Sequence, residues 1–188
     1  MPKLGVVVGS VRDGRGGIAV ANWFMERAEA HGGFEVTLID LKAVALPVMD
    51  EQHHPRLRQY TRDSTKAWSA MVAPMDAFVF VSPEYNHSTP PALVNALDHL
   101  YFEWNYKAAG LVTYGGPSGG VRAQQMIKLT LIALKMVPIV ESVPLPLYVQ
   151  QMDKAAGTFK GTEAQEKAAV VMLDELKKWT GALSTLRT

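Results

Sequence analysis

Three short runs of unbroken apolar residues constrain this chain more than anything else in it: LGVVVGS over Leu4–Ser10, FVFVS over Phe78–Ser82 and AGLVTYGG over Ala109–Gly116. A strand with one wet face alternates apolar and polar residues, because successive side chains point to opposite sides of the sheet. These runs do not alternate, so both their faces must be covered, as in a parallel sheet flanked by helices. FEVTLID (Phe34–Asp40) does alternate, with Phe34, Val36 and Leu38 on one side. VPIVESV (Val137–Val143) is short and carries a proline. Both belong at the periphery of the sheet.

Helical patterns fill the intervals. One runs from about Gly17 to Ala30 and stops at Gly32 and Gly33, and a second covers roughly Arg56 to Val72. A third starts at Pro90 and Pro91, with Ser88 or Thr89 as its cap. It sets Ala92, Leu93, Ala96, Leu97, Leu100 and Tyr101 against an outward face of Asn95, Asp98, His99 and Glu103. A fourth, about Gly120 to Met136, stacks Ala123, Ile127, Thr130, Leu131 and Leu134. The last begins at Thr162 with Gln165 three residues on, a capping box, and carries Ala169, Met172, Leu173, Leu176 and Trp179 on one stripe. Met71, Met75, Met126 and Met136 read as core fillers. Five strands alternating with five helices, joined by right-handed crossovers, give an α/β fold: an open parallel sheet with helices on both faces. No linker or repeat breaks the 188 residues, so residues 1–188 are expected to form one domain.

In such sheets ligands bind beyond the carboxyl ends of the strands, where the strand order reverses. A strand order of 2-1-3-4-5 brings three unusual loops to one crevice: GSVRDGRGG (Gly9–Gly17), SPEYNHSTPP (Ser82–Pro91) and YGGPSGG (Tyr114–Gly120). In the first, Ser10 can donate from its hydroxyl, Arg12 and Arg15 supply positive charge, and Gly14, Gly16 and Gly17 allow close backbone approach, a set suited to a phosphate at a helix start. The same residues would also serve a plain strand-to-helix turn with two solvated arginines. The second loop offers a stiff Pro83, an amphipathic Tyr85 and an Asn86 that bonds both ways, suited to a flat heteroaromatic ring with donors and acceptors along its edge. His87 is a candidate acid or base and equally a solvated loop residue. The third loop opens another helix and sets amides where negative charge could develop. A helix terminus contributes about 0.3–1 kcal/mol, so this loop would tune a bound group and not define it.

Several classes drop out. The net charge is +1 with no Lys/Arg stripe, which argues against nucleic acid as a partner. There is no cysteine, so disulfides, thiolate metal sites and cysteine nucleophiles are absent. His53 and His54 stand beside Asp50 and Glu51 but lack the spacing of a helical metal motif, and no metal is expected. No Walker loop, G-x-G-x-x-G or G-x-S-x-G element occurs. The opening MPKLGVVVGS lacks a signal-peptide pattern and no apolar run reaches membrane-spanning length, so a soluble, cytoplasmic protein with no membrane partner is expected.

Gly9-Ser10-x-Arg12, then Ser82-Pro83-Glu84-Tyr85-Asn86-His87-Ser88 leading to Leu93-x-Asn95-Ala96-Leu97-Asp98, and Tyr114-Gly115-Gly116-x-Ser118-Gly119-Gly120-x-Arg122, resemble the NADPH-dependent FMN reductase family. Its members are flavodoxin-like flavoproteins that include quinone, azo-dye and chromate reductases. The likeness spans Gly5 to about Pro138 and includes Leu46-Pro47 with Asp50. It implies a three-layer flavodoxin-like fold with a five-stranded parallel sheet in the order 2-1-3-4-5. It also implies bound FMN, with NADPH or NADH as co-substrate. By resemblance Ser10, Arg12, Arg15 and Gly17 would hold the phosphate, Pro83, Glu84, Tyr85 and Asn86 would line the isoalloxazine, and Gly115, Gly116, Gly119 and Gly120 would approach its pyrimidine side. Many members carry Ser and Asn where this chain has Arg15 and Gly17.

The expected function is therefore an FMN-dependent NAD(P)H oxidoreductase acting on a quinone-like or other small-molecule acceptor, with no side chain assigned a catalytic role because the cofactor carries the chemistry. The resemblance also implies a homodimer or homotetramer, and the long connection from Leu41 to about Pro55 is the segment expected to make that contact. A flavodoxin-type electron carrier would use the same site but is usually strongly acidic. A non-catalytic FMN-binding interaction module is the other alternative.

Overall fold

The strands with the most continuous apolar runs take the centre of the sheet. In the computed structural model, which describes residues 1–187, β3 (Ala77–Pro83) and β4 (Ala108–Tyr114) are buried at every position. They pair in parallel from Ala77↔Ala108 to Pro83↔Tyr114. β1 (Lys3–Val8) lies on the other side of β3, and β2 (Glu35–Asp40) and β5 (Val137–Leu145) form the two edges. The order is β2-β1-β3-β4-β5, all parallel, which is the flavodoxin-like arrangement expected.

Strand period two sorts the core into two layers. Val79, Val81 and Val112 face α1 (Gly17–His31) and α6 (Glu163–Ser184), where they meet Val20, Trp23, Met172 and Leu173. Phe78, Phe80 and Leu111 face α3 (Asp63–Val72), α4 (Pro91–Asp98) and α5 (Val121–Ala133), where they meet Trp68, Leu93 and Ile127. Trp104 seals the second layer, its ring 4.9 Å from Phe78 edge to face and its indole N–H donating to the Leu97 carbonyl at 3.1 Å. The capping box at Thr162 and Gln165 is present at the start of α6. Among the described residues no helix is long and apolar enough to cross a membrane.

Several local expectations are corrected. The third predicted helix ends at Asp98, so His99 and Glu103 do not continue an outer face but turn inward and are buried. Their polar atoms are satisfied there by Thr65, Pro47, Tyr60 and Ser69, which offsets the cost of burying them. Neither Ser88 nor Thr89 caps α4; Pro90 holds that position without a side-chain cap, and Pro91 takes the first helical position, where its ring presets φ and a missing N–H costs nothing. The helix predicted from Arg56 begins at Asp63, preceded by a single 3-10 turn at Pro55–Leu57. Met71 and Met126 are 40% and 50% exposed and do not fill the core as Met75 and Met136 do. Trp179 lies half out of its helix stripe. One-turn α2 (Leu41–Val44) and a two-stranded hairpin, β6 (Met152–Asp153) with β7 (Thr158–Phe159), were not anticipated.

The connection between α2 and α3 has little regular structure and is held by side chains. Asn95 accepts from the Met49 amide at 2.9 Å and donates to the Pro47 carbonyl at 2.8 Å. Glu51 accepts from the amides of Thr61 and Arg62 and from the Thr61 hydroxyl. Partial burial pushes the Glu51 carboxyl up, but these donors outweigh it and hold the group at about 2 instead of 4.5. Its folded pKa lies below the unfolded one, so this contribution is fully present above pH 4.5 and is lost as the pH falls towards 2. Glu51→Gln should cost about 1–2 kcal/mol at neutral pH and flatten the stability profile across that acid window. Chemical denaturation at pH 7 and pH 3 measures both, and a variant whose loss is equal at the two values would contradict the assignment.

Candidate active site

β1, β3 and β4 are neighbours, so their carboxyl ends open onto one rim. The first loop leaves the sheet after the Gly9 amide donates to the Val81 carbonyl at 2.9 Å. From Ser10 to Ile18 the backbone amides find no acceptor among the described residues, which makes the loop and the start of α1 a bed of free donors. Ser10 is buried, 1% exposed, and its hydroxyl lies 2.8 Å from the Tyr85 hydroxyl.

The two arginines of this loop separate. Arg15 turns back across it: Nη1 donates to the Ser10 carbonyl and to Asp40 Oδ1, both at 2.6 Å, and Nη2 donates to Asp40 Oδ2 at 2.5 Å. Its side chain is only 11% exposed, and this fork clamps the loop to the end of β2. Arg12 is exposed and has no carboxylate partner among the described residues; its guanidinium carbon stands 6.0 Å from the Tyr85 ring centroid. The uncommitted charge is therefore that of Arg12. Gly17 is explained by sterics, since a Cβ there would come within 2.2 Å of the Tyr114 hydroxyl. Tyr148 lies against Gly16 in the same way, and its ring meets that of Tyr114 edge-on at 4.8 Å.

The second loop is a tight reversal. Tyr85 and Ser88 exchange two backbone hydrogen bonds, at 2.8 and 2.9 Å, around Asn86 and His87, which have φ of 50° and 65°. Two consecutive left-handed residues make a type I′ turn. Asparagine tolerates it, whereas histidine is held there at a cost of order 1 kcal/mol. The turn leaves the amides of Asn86 and His87 without partners among the described residues at the tip of the loop.

Glu84 binds the second loop to the third. Its side chain, 8% exposed, accepts from Arg122 Nε at 2.7 Å, from the Arg122 amide at 3.2 Å and from the Ser118 hydroxyl at 3.2 Å. Burial pushes its carboxyl up, but Arg122, the Ala123 amide and Ser118 together hold it below the usual range. A carboxylate at the first turn of α5 is in the favourable end of the helix field. The third loop then closes on Gly119 and Gly120, at φ of 62° and 84°; a Cβ on Gly120 would lie 2.8 Å from that of Thr113, so no larger residue fits. Gly116 faces open space.

Ser10, Arg12, Arg15, Pro83 and Tyr85 meet with Tyr114 and Tyr148 around a cavity of about 70 Å³. Gly17 abuts it through Tyr114, whereas Glu84, Asn86, Gly115, Gly116, Gly119 and Gly120 do not line it. Sequence reasoning assigned no role to Asp40, Tyr114 or Tyr148. Asp40 was within reach of it, as the last residue of the strand beside the first loop; Tyr148 carried no signal at all. His53 and His54 do not enter the site, and among the described residues no group of three or more His, Asp or Glu side chains is placed to hold a metal ion.

The sequence matches the family model of the NADPH-dependent FMN reductases over residues 2–150. The chain belongs to that family. Among individual relatives, an NAD(P)H-dependent FMN reductase of Schizosaccharomyces pombe is 38% identical over 148 residues, 77% of this chain and 74% of its own. One of Saccharomyces cerevisiae is 32% identical over 163 residues, covering 77% and 85%. The flavoenzyme NAD(P)H:(acceptor) oxidoreductase of Paracoccus denitrificans superposes with a TM-score of 0.74 across 97% of this chain and 98% of its own at 21% identity, a likeness of fold.

The donor set fits what the family name requires at this rim. Ser10, Arg12 and Arg15 line the partly open cavity of about 70 Å³, and a phosphate group there would meet the Arg12 charge and the first-loop amides that lack partners among the described residues. A tricyclic ring is larger than this cavity and would extend beyond it. Glu84, through Arg122 and the start of α5, ties together the two loops that would flank such a ring. Glu84→Gln should cost more stability, about 1–2 kcal/mol, than Arg122→Ala, because it strips the charge from three donors while the arginine is half exposed. Equal losses of melting temperature in the two variants would contradict this.

Proposed function

We propose that this chain is an FMN-dependent NAD(P)H oxidoreductase that passes two electrons from the nicotinamide to a small, flat, quinone-like acceptor. The observation that carries the reading is the meeting, at the carboxyl end of β1, of Arg12, a buried serine and a row of amides that lack partners among the described residues, joined to the β3 loop by the contact of the Ser10 and Tyr85 hydroxyls. Arg12 and the amides from Ser10 onward take the phosphate charge, where a charge-assisted hydrogen bond is about twice as strong as a neutral one. Arg15 acts through Asp40 and the Ser10 carbonyl to keep those amides pointing at the anion, and is a positioning residue.

Bound FMN would supply the hydride acceptance and release, and the nicotinamide and the acceptor would use the same open face in turn. The chain's own part is geometric and electrostatic. The Asn86–His87 turn presents its free amides to the ring edge, and the Glu84 carboxylate keeps the Gly115–Gly120 backbone at a fixed distance from that turn. The reading assigns no proton transfer to a side chain, because the cofactor carries the chemistry.

The reading extends to an oligomer, a homodimer or homotetramer. It is supported by an apolar groove of about 820 Å³ that reaches from Val11 in the first loop along Leu46 and Val48 to Pro91 and Val94 of α4. Beyond it α5 exposes Met126, Leu129 and Ile132. Apolar surface of this extent beside a ligand site is typical of a contact between chains.

Arg12→Ala should weaken FMN binding about tenfold, the equivalent of one charge-assisted hydrogen bond at a half-open site, while the fold keeps its melting temperature. Titration of the apoprotein followed by flavin fluorescence quenching measures the affinity. An unchanged affinity would remove the phosphate from the first loop.

A further inference from the structure

The opposite end of the sheet carries a second cavity that the reaction leaves unused. It lies at the amino ends of β3 and β4, a seven-residue strand or roughly 20 Å from the first, and its volume is about 730 Å³, within the size range of small-molecule sites. On its floor are two buried ionisable groups, Glu103 and Lys107, 9% and 5% exposed.

Glu103 is satisfied, with Tyr60 donating to both carboxylate oxygens at 3.0 Å and Ser69 to one of them at 2.6 Å. Lys107 is not. Its ammonium donates to the carbonyls of Val72 and Ala73 at 3.1 and 3.0 Å and rests 5.5 Å from the Phe78 ring centroid, which leaves one of its three N–H groups without a partner among the described residues.

Two more cations stand at the mouth on aromatic supports. The Arg58 guanidinium carbon is 4.3 Å from the Phe102 ring centroid, and the Lys135 ammonium is 5.4 Å from that of Tyr106 and 3.3 Å from its hydroxyl. Arg58 and Lys135 take their positive φ, 54° and 56°, as the left-handed residues that end the turn at Pro55–Leu57 and helix α5, their amides donating to the carbonyls of Pro55 and Ile132. These two helix ends bring their cationic side chains to one groove, against the rings of Phe102 and Tyr106.

We propose that this groove is a second binding site, for a small organic anion whose apolar or aromatic body carries a carboxylate or phosphate. The aromatic residues would take the body, and Arg58, Lys107 and Lys135 would take the charge. Arg187, also at the rim, is committed to Asp76 and the Tyr106 carbonyl and contributes only its field.

Burial, and then the charge of Arg187, bring the Lys107 amine down to about 8, against the opposing pull of Asp76 and Glu103. An anion beside it favours the ammonium, so affinity should fall as the pH rises from 7 to 9.

The test is calorimetric titration of the FMN-saturated protein, whose phosphate site is filled, with phenyl phosphate and separately with benzoate. One or both should bind with a Kd of about 1 mM or tighter, more weakly in added salt, and the stronger of the two names the acid. Arg58→Ala with Lys135→Ala, both at exposed positions, should lower the affinity at least about tenfold at unchanged melting temperature and FMN content. No binding of either probe up to about 10 mM, or binding that survives in the double variant, overturns the proposal.

Discussion

The in-register parallel pairing of β3 and β4 is the constraint on which the rest depends. Both strands are covered on both faces, so neither can slip by one residue without driving valines and phenylalanines from one layer into the other. Because their last pair is Pro83 with Tyr114, the loops that follow begin side by side, and the Glu84 amide donates directly to the Tyr114 carbonyl at 3.0 Å. The ligand rim is thus a continuation of the hydrogen-bond ladder and needs little loop order of its own.

Side chains then trade positions across that rim. Space withheld at Gly16 and Gly17 is taken by Tyr148 and Tyr114. The charge of Arg15 is spent on Asp40, whereas Arg12 has no carboxylate partner among the described residues. The proposed phosphate site, with one such guanidinium and many amides, would rely on directional hydrogen bonds more than on net charge, which suits a chain whose overall charge is +1.

The central strands, the helix faces packed on them and the three rim loops were legible in residue type alone, because burial on two faces and glycine-rich turns leave marks there, whereas the sheet order followed from the family resemblance. What was not legible shares one cause: it depends on partners distant in the chain. Helical spacing carried His99 and Glu103 to the outside, and only Thr65, Tyr60 and Ser69, more than thirty positions earlier, make their burial tolerable. The pairing of Arg15 with Asp40 and of Glu84 with Arg122 likewise joins residues far apart in the chain. Met126 obeyed the pattern of a core filler but lies on a helix face that the sheet does not reach.

The central claim is that three loops separated by as many as a hundred residues act as one FMN site. Amide hydrogen exchange with and without FMN tests it most directly. The account predicts simultaneous slowing in three segments, residues 10–18, 84–87 and 115–120, with the amino ends of the strands unchanged. Slowing in one of these segments alone, or at the opposite end of the sheet in place of this rim, would contradict it.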